Sequence, residues 1–294
     1  MSQTALARRA FRRPRGGTRH SPKVPWGSPT VYLVATVLIA ICVLPVLYII
    51  LGGFRSNSQI TTDPAGLPDP WVLENYTNVL TAGTFWTQFR NSAISASLTT
   101  AGCVALALAA SYVIARYDFR GRNALFSLFA AGLMFPLTVA ITPLYILIRS
   151  LNLTDSLAGI ILPQIAFALP VTVIILVPFL RAIPKELEEA AAIDGAGRLG
   201  FFFRMVLPLS LPGVITTGIL AFVGAWNNYM LPLFILSSPD KYTLPLGVQA
   251  FASQHSVDTA AVLAFTSLSM LPALLFFSIF ERRIVGGLTG AVKG

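Results

Sequence analysis

Charge is scarce in this chain. Only 11% of its 294 residues are Asp, Glu, Lys or Arg, against about 25% in soluble globular domains. A water-soluble fold of this size could not hide the 55% that are hydrophobic. Cysteine is nearly missing. Cys42 and Cys103 both lie in apolar stretches, which excludes a stabilising extracellular disulfide and a thiolate metal site with neighbouring histidines. The two histidines, His20 and His255, fall in a basic tail and a polar loop, too far apart in the expected topology for a metal site or a catalytic pair. No G-x-x-x-x-G-K-[ST] loop occurs, so the chain has no usual cradle for ATP phosphates. Gly195-Ala196-Gly197-Arg198-Leu199-Gly200 does spell G-x-G-x-x-G. It follows a short helix rather than a strand opening a βαβ unit, and so carries no dinucleotide reading. No internal repeat is visible, which leaves an inverted-repeat transporter without support.

What is present is apolar sequence in six blocks, near 30–51, 93–115, 125–148, 157–180, 212–235 and 260–280. Each is close to the roughly 20 residues that cross a bilayer's hydrocarbon core. The expected fold is all-α and polytopic, with a six-span domain over 30–281. It is flanked by a basic tail over 1–29 and a C-terminal tail over 282–294, with a cytoplasmic loop over 181–211. The Arg-rich start before the first block resembles a signal peptide, but the block is too long for an h-region and no A-x-A site follows it, so it is expected to stay as the first span. The tail itself, rich in Arg, Pro and Gly, is expected to be flexible and held near anionic lipid headgroups.

The formal charge of +9 is a statement about topology. With the N-terminus inside, only Arg55, Arg90, Arg149 and Lys241 of the 21 Lys and Arg fall on the outer side. The bias runs through every loop, as the positive-inside rule requires, and does not point to a nucleic-acid partner. Both termini are then cytoplasmic. The second block is dominated by Ala, Ser, Thr and Gly, the residues that let membrane helices approach closely, and reads as a central helix. Pro136, Pro143, Pro163, Pro170 and Pro178 in the third and fourth blocks mark kinks that neighbours or water must satisfy. Pro64, Gly66, Pro68 and Pro70 argue for an irregular outer segment over 52–91, with one or two short helices towards its end. The blocks hold almost no ionisable groups, which fits passage of an uncharged, hydroxyl-rich solute with energy supplied from elsewhere. Their polar candidates are Gln164, Asn227 and Asn228, able to bond a sugar hydroxyl or to join helices.

The loop after the fourth block is the most informative segment. Pro184 suits the first helical turn, Glu186, Glu188 and Glu189 complement the helix dipole, and Gly195 can take the left-handed conformation that ends a helix. Ala190, Ala191 and Ala192 leave part of the helix smooth, and Phe201, Phe202, Phe203 and Met205 follow. Such a helix suits docking by another protein or lying on lipid headgroups.

Glu189-Ala190-Ala191, then Gly195 and Leu207-Pro208, resembles the EAA loop of permease subunits of ATP-binding-cassette importers. Ile193-Asp194-Gly195-Ala196 with Phe203 is similar to the carbohydrate, maltose-type branch. Asn91-Ser92, Pro143-Leu144-Tyr145, Trp226-Asn227, Thr243-Leu244-Pro245 and the ending Gly287-Leu288-Thr289-Gly290-Ala291-Val292-Lys293-Gly294 also match, so the resemblance covers the chain from about residue 30. It implies a type I importer permease that is not itself an enzyme. Expected partners are a second permease, two ATPase subunits and an extracytoplasmic solute-binding protein, with ATP and magnesium held by the ATPases and no cofactor in this chain. Glu189, Ala190, Ala191, Asp194, Gly195, Phe203, Leu207 and Pro208 would form the coupling element. Gln164, Trp226, Asn227 and Asn228 would line the solute's path. The segment from Ser237 to Thr259 resembles a loop that enters the receptor's cleft, and Gly287–Gly294 one that reaches between the ATPases. The family often has an acidic residue after Trp-Asn. Asn228 stands there instead, so no role is carried over from that carboxylate. A mono- or oligosaccharide is the expected cargo; the alternative is another small polar solute such as a polyol phosphate.

Overall fold

The computed structural model describes residues 29–250 and 258–292, and the described residues form helices, turns and loops without a strand. The basic tail up to residue 28 lies outside them, as do residues 251–257 of the Ser237–Thr259 segment. The first helix, α1 (Pro29–Gly52), is long and apolar enough to cross a membrane. The chain divides into two compact units at Pro45, inside α1.

The unit from Val46 onward begins with a segment braced by hydrogen bonds, the one expected to be irregular. The Tyr76 hydroxyl donates to the Ile50 carbonyl at 2.8 Å, and the Asn75 amide donates to the carbonyls of Gly53 and Arg55. Arg55 is 2% exposed because its guanidinium is spent on the carbonyls of Gln59, Asp63 and Pro64. Two short helices follow, α2 (Asn57–Thr62), closed by a Ser56–Gln59 capping box, and α3 (Glu74–Thr81).

The next helix, α4 (Gly83–Arg116), starts ten residues before the apolar block at 93–115. Its polar first turns read as loop in a hydropathy profile, yet Gln88, Asn91 and Ser92 are buried. Asn91 Nδ2 donates to the carbonyls of Asp240 and Tyr242, and the Ser92 hydroxyl accepts from the Leu244 amide. Further along, Ser95, Thr99, Cys103, Ala107 and Ser111 form a buried small-residue stripe at helical spacing.

The third block is not one span-length helix. It is α5 (Arg122–Gly132) and α6 (Leu137–Ser150), which meet at 100°. Pro136 lacks an amide proton and drives the preceding residue out of helical geometry, so the break falls there. The three prolines in the fourth block do not break α7 (Leu157–Arg181). Beyond α7 come α8 (Lys185–Ile193), α9 (Arg198–Leu209), and α10 (Leu211–Trp226), the last two bent by 73°. The fifth block is interrupted at Asn227–Tyr229 before α11 (Met230–Ile235). A short turn at Pro239–Lys241, α12 (Leu244–Ala250) and α13 (Thr259–Val292) complete the order. Backbone helix thus continues through the stretch from 282 that was expected to be a separate tail; side chains beyond Phe280 lie outside the description. Among the described residues, four helices are long and apolar enough to span a bilayer, or up to six spans result if each bent pair counts as one.

Close packing between α4, α7 and α10 makes the centre of the unit. A Cβ on Gly102 of α4 would stand 2.6 Å from the Ile165 side chain, and one on Gly213 of α10 would stand 2.8 Å from the Phe179 ring. The stripe on α4 is also bonded to α7. Thr99 Oγ1 lies 3.1 Å from Gln164 Oε1, Cys103 Sγ 3.3 Å from Thr172 Oγ1, and Ser111 Oγ 3.4 Å from the Val173 carbonyl. Apolar clusters sit at both ends. Ile114, Leu176, Leu180 and Ile183 gather with Phe201 and Val206 of α9, whereas Ile148, Ile160, Leu231 and Ile235 gather at the opposite end of α7.

Candidate functional site

Two sites emerge, at different levels of the bundle. The first is α8 and the turn after it. Pro184 is the residue just before the helix, with φ −55° and ψ 141°, and Glu186 and Glu188 occupy the first turn. The helix ends in a Schellman motif: Gly195, at φ +77°, donates its amide to the Ala192 carbonyl at 3.1 Å and Ala196 donates to Ala191 at 2.9 Å. No atom lies within 4 Å of a Cβ built on Gly195, so glycine is required there by backbone conformation and not by space.

Leu187 and Ala191 of α8 pack on the apolar cluster below, while Glu186, Glu189, Ala190, Ile193 and Asp194 are exposed. Ile193, Leu199 and Phe203 are exposed by 86%, 75% and 61%, a concentration of apolar surface on one short loop. Leu207 turns inward against the cluster and Pro208 is exposed. Between them and Phe201 the helix widens into a π-turn over Phe202–Val206, with the Leu207 amide bonded to the Phe202 carbonyl. Pro208 accounts for this, because it offers no amide to the carbonyl four residues back and its ring would crowd a regular turn. The candidate residues therefore divide: Glu189, Ala190, Asp194 and Phe203 lie outward, Gly195 sets the turn, and Ala191 and Leu207 seat the loop.

The residue that fixes α8 to the bundle is Arg116, the last of α4. Its side chain is 3% exposed. Nη1 donates to the Ile183 carbonyl at 2.6 Å, Nε and Nη2 reach Glu188 Oε2 at 3.1 and 2.8 Å, and the guanidinium lies 5.8 Å from the Phe201 ring centroid. In the sequence Arg116 read only as a topology marker, and Glu188 only as a charge that complements the helix dipole. The pattern hidden in the sequence was an Arg closing a small-residue helix with an acidic turn 72 residues later.

The second site is a cavity of about 240 Å³ between α4, α7, α10 and α11, lined by Thr99, Gln164, Phe167, Gly224 and Asn228 among others. None of its lining residues is ionisable. Gln164 is 5% exposed; its Oε1 accepts from Thr99 and its Nε2 has no partner. Asn228 Oδ1 accepts from the Leu231 amide at 3.1 Å and so opens α11. The other two candidates lie elsewhere. Trp226 is buried, with its indole N–H 3.4 Å from the Ser269 carbonyl and its ring packed on Phe222 and Phe89, so its place is in the core. Asn227 is an exposed helix-ending residue.

At the end of α7 away from α8, Asp155 organises the loop after α11. Its carboxylate accepts from the amides of Ser237 and Ser238, the Ser238 hydroxyl at 2.6 Å and Lys241 Nζ at 3.0 Å. The Ser238 hydroxyl first, and the two backbone amides next, hold this carboxyl well below the usual range. Among the described residues no group of three or more His, Cys, Asp or Glu is placed to hold a metal ion.

Residues 104–286 match the family described as binding-protein-dependent transport system inner membrane component. The diacetylchitobiose uptake system permease protein NgcG of Streptomyces coelicolor is 36% identical over 251 residues, covering 85% of this chain and 83% of that protein. The trehalose transport system permease protein SugB of Mycobacterium tuberculosis is 35% identical over 262 residues, 88% of this chain and 95% of the relative. In three dimensions the chain is similar to a crystal structure of a bacterial ABC transporter involved in the import of alginate, with a TM-score of 0.75 at 22% identity, over 86% of this chain and 95% of the other.

Proposed function

The chain belongs to the family of binding-protein-dependent transport system inner membrane components, and from that premise we propose that it is one permease subunit of an ATP-driven saccharide importer in a prokaryotic cell membrane. It is a transport subunit and not an enzyme. It pairs with a second, related permease, two ATPase subunits that hold ATP and magnesium, and an extracytoplasmic solute-binding protein. Relatives named for diacetylchitobiose, trehalose and arabinooligosaccharide transport support a sugar cargo. The uncharged lining of the cavity agrees with such a cargo.

The observation that carries the mechanism is that α8 is clamped inward through Glu188 while Glu189, Ala190 and Ile193 face out. Glu189 makes no hydrogen bond or ion pair among the described residues, so its carboxylate is free for a cationic or polar group of an ATPase cleft. When two ATPases close on ATP they draw the coupling helices together, and Arg116 passes the movement to α4. The loop can drive this only by binding more tightly in one state than in the other. Both termini lie on the ATPase side, in keeping with the distribution of Lys and Arg.

The test is saccharide-stimulated ATP hydrolysis by the reconstituted complex, native against Glu189→Ala, over a panel of mono- and disaccharides. The expected outcome is stimulation by one sugar, lost in the variant with assembly intact. Full stimulation in Glu189→Ala would remove the coupling role, and no stimulation by any sugar in the native complex would move the cargo outside carbohydrates.

A further inference from the structure

Apolar surface collects around α3, at the end of α4 away from Arg116. The helix has three sectors. Asn75, Tyr76 and Val79 face the bundle: Asn75 bonds the carbonyls of Gly53 and Arg55, Tyr76 bonds that of Ile50, and Val79 is 2% exposed. Glu74, Asn78 and Thr81 make an exposed polar sector. Between the two, Leu73 and Leu80 stand seven positions apart on one line of the helix and are exposed by 64% and 39%. Trp86, in the first turn of α4, extends this stripe. Its indole N–H donates to the Leu80 carbonyl at 2.9 Å, and its ring is 52% exposed. Trp71, exposed by 59%, stands two residues before Leu73 and against the Phe54 ring. Apolar surface gathered in this way marks an interaction site.

Two observations say what covers it. The first is length. Trp86 and Arg116 stand 30 positions apart on one unbroken helix, about 45 Å, against about 40–45 Å for a bilayer with both headgroup layers. With Arg116 at the level of α8, Trp86 and Leu80 fall in the opposite headgroup layer, where Trp and Tyr rings concentrate. The second is charge. From Ser56 to Phe89 the chain has Asp63, Asp69 and Glu74 and no Lys or Arg, so attraction to anionic headgroups has no source and the contact is apolar.

We propose that the Leu73–Leu80 stripe, with Trp71 and Trp86, lies on the bilayer itself, in the headgroup layer remote from α8. The apolar sector of α3 meets the acyl boundary while Glu74, Asn78 and Thr81 stay in water, as in helices that lie in a membrane interface. Because Tyr76 and Asn75 tie α3 to the end of α1, this anchor sets the depth at which α1 and α4 leave the membrane. It depends on neither the sugar cargo nor the coupling role.

The test uses the complete importer in phosphatidylcholine nanodiscs, since a neutral lipid suffices for an apolar contact. The chain carries Cys42→Ser and Cys103→Ser, the other subunits lack cysteine, and a nitroxide is attached in turn at Leu73→Cys, Leu80→Cys, Asn78→Cys and Leu98→Cys. Electron paramagnetic resonance compares collisions with oxygen, which concentrates among acyl chains, and with a water-soluble nickel chelate. Leu98, 54% exposed within the apolar block of α4, marks the hydrocarbon. The expected oxygen-to-nickel ratio at 73 and 80 is several-fold above that at 78, below that at 98, and unmoved by the binding protein. Equal ratios at 73, 80 and 78 put the stripe in water and overturn the anchor. Loss of both collision rates at 73 and 80 means that protein covers the stripe and overturns it too: the binding protein if the loss follows its addition, the second permease if it is there beforehand. Should Leu80→Cys not assemble, Thr77→Cys reads the same exposed side of α3 by the same criteria.

Discussion

Replacing Arg116 with Met should free α8 from the bundle without dismantling the bundle itself. The guanidinium makes two kinds of charge-assisted bond, one to the Ile183 carbonyl and one to Glu188. Breaking a fully buried ion pair by removing one partner costs about 3–5 kcal/mol. Here only the arginine is buried, at 3% side-chain exposure; Glu188 is 38% exposed and water can solvate the carboxylate left behind. The ion pair itself is therefore discounted towards the about 0–1 kcal/mol of surface pairs. The bond to the buried carbonyl adds about 1.5–3 kcal/mol. Docking of α8 should weaken by about 2–3 kcal/mol, which raises the undocked population about 30- to 150-fold. Amide hydrogen exchange over 186–193 reads this directly, as a loss of protection by the same factor confined to the loop. Glu188→Gln keeps the carbonyl bond and the Phe201 contact, so its effect should be several-fold smaller. Unchanged protection in Arg116→Met, or a larger effect from Glu188→Gln, would refute the assignment of Arg116 as the clamp.

Gly195→Ala meets no atom, so its cost is the left-handed conformation alone, about 1 kcal/mol, with a modest loss of sugar imported per ATP. Gly195→Pro also deletes the amide bonded to Ala192 and cannot adopt φ +77°, so it should uncouple hydrolysis from import; coupled uptake in that variant would remove the turn from the mechanism. Asp155 has a folded pKa depressed below its ordinary 3.8, so its stabilisation is complete above that pH and is lost as pH falls through the folded value. The thermal midpoint of the native protein should drop below about pH 4, and that of Asp155→Asn should be lower at neutral pH but flatter with acid; parallel curves would contradict the loop-anchoring role. Gly159→Ala places a Cβ 2.2 Å from the Leu153 carbonyl oxygen, a backbone atom that cannot step aside, and should destabilise by about 1–3 kcal/mol in a denaturation measurement.

The sequence made the all-α, polytopic character and the family legible because both are carried locally, by apolar blocks, by the sidedness of Lys and Arg, and by one loop. What it hid depends on partners far along the chain. Asn91 and Ser92 read as polar ends of a loop, since their partners, Asp240 to Leu244, lie about 150 residues away. Proline gave a mixed signal: Pro136 ends a helix, whereas Pro163, Pro170 and Pro178 are absorbed within α7. Composition alone could not separate them, because what matters is whether neighbouring groups can stand in for the missing bonds. In the loop, the resemblance singled out Glu189 among three glutamates in four positions but gave Glu188 no partner. Helical geometry gives Glu188 to Arg116 and leaves Glu189 outside. Of the residues expected along the solute's path, Trp226 was named by its motif and Asn227 as a polar residue within an apolar block, and neither lines the cavity that Gln164 and Asn228 line.

The breaks in the third and fifth blocks and the continuity of α4 have a common physical sense. Irregular backbone at membrane depth is tolerated only where protein covers it or a cavity solvates it. Leu137, the first residue after the break at Pro136, and Asn228, within the break after α10, both line the same cavity. The helix interruptions therefore converge on one place instead of being scattered over the lipid-facing surface. The helix that joins this place to the loop has no such break. Thr99 and Arg116 stand 17 positions apart on α4, about 25 Å of helix. Its small-residue face is bonded to α7 along the way. Under the proposed coupling, a movement imposed at Arg116 would reach the cavity along an unbroken helix, and the breaks after Gly132 and at Asn228 border that same cavity.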